Sequence, residues 1–147
     1  MKASKPLWIA SAIMALCAAT VIVGCSQGPP AAPKGGTLTG VTWQLDMLNG
    51  SQAPAGPKPV TATFDPATMS GFAGVNSYSG SYIAGADGAF KTGPLAATQM
   101  AGGPEAMQLE TGYLKALEAS AKYMVTAGQL TLYGADGKPL IVYRAGK

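Results

Sequence analysis

The sequence predicts a β-rich α+β domain, in which a curved antiparallel sheet or partly open β-barrel packs against one helix. Two observations predict this fold. From Val41 onward, short stretches with apolar residues at every second position alternate with turn pairs such as Asn-Gly, Asp-Pro and Asp-Gly. A single longer segment, after Gly102, carries apolar residues at helical spacing instead. The 147 residues suffice for one such domain and a shorter segment before it.

The N-terminal segment has the pattern of an exported lipoprotein. Two lysines precede an apolar run over residues 7–23, which is typical of a secretory signal. Residues 22–25 read Ile-Val-Gly-Cys and resemble the lipobox of bacterial lipoproteins, whose Cys receives a lipid and becomes the new N-terminus. We therefore predict a signal peptide over residues 1–24 and lipidation of Cys25. An uncleaved membrane anchor is the alternative, but the run is short, rich in alanine and followed by no basic stop.

Residues 25–40 predict a flexible tether between the lipid and the domain. This stretch is rich in proline and glycine and has almost no apolar side chains, so it has little to bury. A chain of this length reaches roughly 20 Å. The prediction therefore places the domain, residues 41–147, in the cell envelope, close to a membrane on its extracytoplasmic side.

The strands of the domain are predicted by alternation and by turns. In the first of them Trp43, Leu45 and Met47 occupy every second position before Asn49-Gly50. Asp87-Gly88 and Asp136-Gly137 predict further hairpins, and residues 52–59 a proline-rich loop. The predicted strands cover residues 41–48, 60–64, 69–73, 79–84, 95–100, 122–127, 129–133 and 140–144.

One helix is predicted to follow Gly102-Gly103-Pro104-Glu105. Proline in the first turn and an acidic residue beside it favour a helix N-terminus. Met107, Tyr113, Leu114 and Leu117 then form an apolar stripe, which we expect to pack on the sheet.

Composition excludes several classes of function. The chain has 10 Lys and Arg, of which two precede Cys25. The remaining 8 and the 7 Asp and Glu give about one net positive charge after the signal, and the basic residues form no cluster. Nucleic-acid binding needs such a cluster and is not expected. There is no histidine, and the two cysteines, Cys17 and Cys25, lie in the signal and at the lipidation position. We therefore expect no cofactor, no metal site built on Cys or His, and no catalytic triad.

Residues 71–82 read Gly-Phe-Ala-Gly-Val-Asn-Ser-Tyr-Ser-Gly-Ser-Tyr, and this stretch resembles the signature of the META domain of HslJ-like, heat-shock-associated proteins. A second matching stretch covers residues 95–101 and continues through Glu110 to the Tyr-Leu-Lys-Ala-Leu run at 113–117. The resemblance spans about Leu38 to Ala145. It implies an association with stress tolerance and does not define a molecular activity.

The residues that match the family pattern have two possible roles. They are Gly71, Phe72, Gly74, Asn76, Gly80, Tyr82, Thr98, Met100 and Glu110. The glycines permit close backbone approaches, and Asn76 suits a left-handed turn or a side-chain bond to neighbouring amides. We interpret the stretch as a structural bend in the sheet, with a binding edge as the alternative. Thr98 and Glu110 similarly either dock the helix or line a site.

One departure from the family concerns cysteine. The resemblance implies a Cys at the position of Val75 and another near Gly102, and this chain has neither. A redox-active or stapling pair that relatives form at those two positions is therefore not expected in this chain.

These observations favour a non-enzymatic envelope lipoprotein that binds a partner or ligand, or supports stress tolerance, and is held to the membrane through Cys25. The alternative is a carrier of a small apolar molecule or lipid in the half-open barrel. An enzyme that uses Glu110 ranks third. The sequence does not identify the protein or small-molecule partner.

Overall fold

A computed structural model describes residues 37–56 and 58–146 of the chain. The predicted signal peptide, Cys25 and the tether up to Gly36 lie outside the described residues. The helix is α1, Pro104–Glu118. The strands are β1 (Thr42–Leu48), β2 (Ser51–Gln52), β3 (Thr61–Phe64), β4 (Thr68–Phe72), β5 (Ser77–Ala84), β6 (Phe90–Ala97), β7 (Ser120–Thr126), β8 (Gln129–Gly134) and β9 (Pro139–Ala145).

The strands form one antiparallel sheet in the order β6-β5-β4-β3-β1-β9-β8-β7, with the short β2 paired to the end of β1. The sheet curls into a half-barrel, which confirms the predicted fold class. An antiparallel bridge between Ala89 and Lys122 joins the two outer strands at one point. Beyond it, α1 packs against β6, β9 and β1. The helix thus lies where the sheet does not close on itself.

The inward positions of the strands fill the barrel with large side chains. Trp43 is 2% exposed, and Phe64, Leu132 and Ile141 are fully buried. Near one end of the barrel, four aromatic rings pack with centroids 5.2–6.3 Å apart. These rings belong to Phe64, Tyr82, Phe90 and Tyr123. Every buried side-chain N or O in the described residues has a hydrogen-bond partner.

Several element boundaries differ from the prediction. β6 ends at Ala97 because the chain then turns toward Asn76, whose side chain binds the backbone of Met100. Leu38, which falls in the predicted tether, is buried and accepts a hydrogen bond from Trp43 Nε1 at 3.1 Å. Met107, predicted to belong to the packed stripe, is 37% exposed, because the buried face of α1 runs through Glu110 instead.

The helix Pro104–Glu118 has 15 residues, with Gly103 as its N-cap and proline in its first turn, as predicted. In the described part of the chain, no helix has the length and apolar character needed to cross a bilayer.

Candidate functional site

The centre of the site is the tight turn between β4 and β5, where Ala73 N donates to Asn76 O at 2.8 Å. Gly74 lies in this turn with φ +134°, a conformation that side chains rarely adopt. A Cβ at Gly74 would also lie 3.1 Å from Ala106 O, so the turn packs directly on the first turns of α1. Glycine at this position therefore permits both the turn and the close approach of the helix.

Glu110 reaches from α1 into this turn and is 8% exposed. Its Oε2 accepts hydrogen bonds from Asn76 N at 2.7 Å and Val75 N at 3.2 Å. Its Oε1 accepts from Asn76 Nδ2 at 2.9 Å. A buried glutamate needs hydrogen-bond partners, and those of Glu110 are amide N–H groups rather than a cation.

Asn76 also binds the segment that follows β6. Its Oδ1 accepts from Met100 N at 2.7 Å and from Thr98 Oγ1 at 2.9 Å. Its Nδ2 donates to Met100 O at 3.2 Å as well as to Glu110. Asn76 has no left-handed backbone. Its role is therefore through its side chain, which joins the turn, the helix and the segment before the helix.

A chain of three tyrosine hydroxyls crosses the buried interior next to Glu110. The hydroxyl oxygens of Tyr78 and Tyr113 are 2.7 Å apart, and those of Tyr113 and Tyr143 are 2.8 Å apart. Tyr78 donates its single proton to Thr61 O at 3.2 Å, so it accepts from Tyr113, which in turn accepts from Tyr143. Burial is the main cause that raises the pKa of all three hydroxyls above their usual value.

The remaining motif residues lie where neighbouring strands come close together or contact the turn between β3 and β4. At Gly71 a Cβ would overlap Thr61 O across the β3–β4 ladder, and at Gly80 it would lie 2.6 Å from the Leu95 side chain. The Phe72 ring lies 4.2 Å from the ammonium of Lys58. The Tyr82 hydroxyl donates a hydrogen bond to Asp65 O, in the β3–β4 turn, at 2.7 Å.

Val75 and Gly102 face each other at the positions where the family resemblance implies cysteines. A Cβ at Gly102 would lie 3.2 Å from the Cβ of Val75, and the valine methyl groups occupy the space around it. The Val75 side chain therefore fills the space that a side chain at position 102 would need.

An open groove of about 600 Å³ lies beside the Gly74 turn. One wall is the start of α1, another is the proline-rich loop between β2 and β3, and the rest is the middle of β1 with the end of β9. Its apolar lining consists of Leu45, Ala53, Pro54, Ala55, Pro59, Val60, Ala106 and Leu109. Among the described residues, aliphatic and proline side chains thus dominate the groove lining, and none of the lining side chains is aromatic.

Charges of both signs stand at the groove. Asp46 lies at a β-bulge, where the β1–β9 register shifts between Leu45 and Met47. Its Oδ1 is 3.8 Å from a guanidinium nitrogen of Arg144, and both side chains are partly exposed, which makes a weak ion pair. Lys58 and Glu105 also line the groove. Two cations and two anions leave it without a strong net charge.

The comparison with protein families decides what kind of domain this is. The sequence model of the META domain family matches residues 36–147, most of the chain. The chain belongs to the META family. No curated protein matches it at a significant level. The match begins at Gly36, which agrees with the burial of Leu38 in the META domain described here.

Solved structures share the fold of this META domain. An NMR structure of a protein from Burkholderia xenovorans is 25% identical, with a TM-score of 0.61 over 75% of this chain and 84% of the other. A second NMR structure is 26% identical, with a TM-score of 0.58 over 73% and 90%. A crystal structure of a DUF4847 family protein from Bacteroides vulgatus is 16% identical, with a TM-score of 0.54 over 75% and 95%, and it shows the fold alone.

The META motif residues fall into two groups in space. Gly74, Asn76, Thr98, Met100 and Glu110 meet at the turn beside the start of α1. Gly71, Phe72 and Gly80 lie along β4 and β5, and Tyr82 lies in the aromatic cluster at the far end of β5.

Sequence reasoning missed the groove and the tyrosine chain. Tyr143 occupies an inward-facing position in the alternation of β9, so its burial could have been predicted. Nothing in the sequence indicates that its hydroxyl pairs with that of Tyr113. The groove residues come from β1, the loop, α1 and β9. Only the folded sheet brings such distant segments together.

Proposed function

We propose that this META domain is the soluble part of a membrane-anchored envelope lipoprotein, held through lipid on Cys25, and that it binds an extended polypeptide in its groove without catalysing a reaction. The observation that carries the binding proposal is the groove itself: about 600 Å³, aliphatic, open at the surface, and bordered by charges of both signs. A role in stress tolerance, which the family resemblance implies, would be exercised through such binding.

The chemistry of the lining supports a polypeptide as the occupant. Aliphatic residues such as Leu45, Val60 and Leu109 complement aliphatic side chains. A nucleobase is commonly recognised by stacking on aromatic rings, and none of the described residues that line the groove is aromatic. The mixed charges of Asp46, Lys58, Glu105 and Arg144 suit a ligand with both signs of charge, which a peptide has.

The second candidate is a carrier that holds an apolar molecule inside the barrel. The three linked tyrosines and the buried Trp43 and Phe64 fill that interior, so a ligand there would have to displace them. This packing favours the surface groove over the interior as the binding site.

The non-enzymatic part of the proposal draws on what Glu110 contacts. Its two oxygens accept hydrogen bonds from Val75 and Asn76, and the residue is buried. A carboxylate occupied in this way serves to hold the helix on the turn.

An NMR titration of the mature chain carrying Cys25→Ala tests the groove. We expect a peptide in which Leu alternates with Lys and Glu to shift the backbone amide signals of Ala53, Ala106 and Leu109, whereas a Gly-Ser peptide of equal length leaves them unchanged. Ala106→Trp fills the groove and should abolish the shifts, while Thr131→Trp on β8 should not.

Other outcomes decide against the proposal. Shifts confined to barrel-lining residues such as Leu132 on addition of palmitate would favour the carrier. No shift with any peptide would remove the groove as a peptide site. Metabolic labelling with palmitate tests the anchor separately, because Cys25→Ala should abolish it.

A further inference from the structure

The surface at the Ile83 end of the barrel suits contact with a bilayer. Ile83 is 73% exposed, more than the other large hydrophobic side chains among the described residues. It lies on the outer face of β5, directly opposite Lys91 on β6. Ala89, two residues before Lys91 on the same face, is bridged to Lys122.

Lys122 continues this surface onto the other half of the sheet, where it pairs with Tyr133 of β8. Ile83 and Lys91, with Lys122 across the Ala89 bridge, therefore lie near one another on the outer face, and we call these three residues the Ile83 surface. Within the described residues neither Lys91 nor Lys122 forms a salt bridge. An exposed aliphatic side chain flanked by lysines suits a membrane–water interface, because the lysine stems can lie along the apolar region while their ammonium groups reach the headgroups.

The acidic side chains on this side lie in turns. Asp87 is in the β5–β6 hairpin turn, where its Oδ1 accepts a hydrogen bond from Ala89 N at 3.2 Å. Asp65 is in the β3–β4 turn, and its carbonyl oxygen accepts from Tyr82. They offset part of the lysine charge, so the contact needs the burial of Ile83 as well as electrostatic attraction.

The path of the chain supports this orientation. The described chain begins at Thr37, and Thr39 bridges in parallel to Phe64 at the end of β3. The Phe64 ring is 5.2 Å from the ring of Tyr82, the neighbour of Ile83 in β5. β5 is two strands away from β3, or roughly 10 Å at ordinary strand spacing. The tether therefore joins the barrel on the side that carries the Ile83 surface.

The length of the tether makes this proximity effective. The tether that the sequence predicts between Cys25 and Thr37 has a reach of roughly 20 Å, so the proposed anchor would keep the domain close to the bilayer. Such confinement raises the effective concentration of a surface that is too small to bind membranes alone.

We infer that the Ile83 surface lies on the bilayer when the protein is anchored, with Ile83 at the acyl boundary and Lys91 and Lys122 at lipid phosphates. This inference rests on the lipid anchor proposed above. The groove lies toward the opposite end, because Val60 lines it and precedes β3, whereas Phe64 ends β3 on the tether side. The membrane contact thus leaves the groove accessible to a partner in the aqueous space.

The test uses the full lipidated protein in vesicles of phosphatidylethanolamine and phosphatidylglycerol. Ile83→Cys and, as a matched control, Ser51→Cys each carry an environment-sensitive NBD fluorophore. Ser51 is exposed in β2, beyond the end of β1 that lies away from the tether. We expect a blue-shifted emission at position 83 that nitroxide-labelled lipids quench, and a water-like, unquenched emission at position 51.

A charge variant and a thiol count complete the design. Lys91→Glu with Lys122→Glu should weaken the contact, since each lysine near an anionic surface contributes about fivefold to partition. Equal emission and equal quenching at positions 83 and 51 would overturn the orientation while leaving the anchor intact. A reactive thiol in the unlabelled wild-type protein, which should have none, would overturn the proposed lipidation of Cys25 instead.

Discussion

Substitution of Glu110 gives the sharpest test of the network that joins the helix to the β4–β5 turn. In Glu110→Ala, the backbone N–H groups of Val75 and Asn76 lose their acceptor, whereas Asn76 Nδ2 keeps Met100 O. A buried donor without a partner costs about 1–3 kcal/mol, so two of them predict a loss of about 2–6 kcal/mol. A domain of this size has only about 5–15 kcal/mol of stability.

Glu110→Gln should have a smaller effect for a specific reason. The glutamine oxygen can replace Oε2 and accept from Val75 N and Asn76 N, but its NH2 then faces Asn76 Nδ2, donor against donor. Rotation of the Asn76 amide does not relieve this, because Oδ1 is held by Thr98 and Met100. The expected loss is one hydrogen bond with its unsatisfied donor, about 1–2 kcal/mol.

Urea unfolding followed by the fluorescence of Trp43 measures these differences, since Trp43 is buried and is the one tryptophan that follows the predicted signal. The midpoint should fall in the order Glu118→Gln, Glu110→Gln, Glu110→Ala, with an unchanged slope. Glu118 lies exposed at the end of the same helix and is the matched control. A wild-type midpoint for both Glu110 variants would refute the assignment of these hydrogen bonds as stabilising.

Three further predictions follow from the packing. The three linked tyrosines have raised pKa values in the folded state. Above about pH 10 they therefore keep their protons in the folded chain, whereas the unfolded chain releases them. The stability that they contribute is present below about pH 10 and is lost as pH rises. Stability should fall by about 4 kcal/mol per pH unit for three protons, and Tyr143→Phe should reduce that slope by a third in alkaline urea titrations. Val75→Cys with Gly102→Cys should form a disulfide under oxidising conditions and raise the free energy of unfolding in urea by up to ~3.5 kcal/mol relative to the reduced form; no gain over the reduced form would contradict the facing geometry. Gly71→Ala should destabilise by about 2 kcal/mol through its overlap with β3, whereas Gly103→Ala, which meets nothing within 4 Å, should be nearly neutral in thermal unfolding.

The strand and helix pattern was predictable because burial on one face imposes a period on the sequence. Trp43, Leu45 and their counterparts alternate in β1, and Pro104 begins the helix as expected. The predicted end of β6 was wrong because the Asn76 side chain binds the backbone of Met100 there. Sequence periodicity carries no information about such a contact between distant segments.

The sequence by itself determined the fold class, the family and the motif residues, since periodicity, turns and ordered short motifs are local properties of the chain. The lipidated Cys25 also remains a prediction from the sequence. Only the tertiary structure decided what Glu110 and Asn76 contact, how three tyrosine hydroxyls connect, and where a groove opens. Those features join residues from strands and a helix far apart in sequence, and their distances depend on how the whole sheet curls around α1.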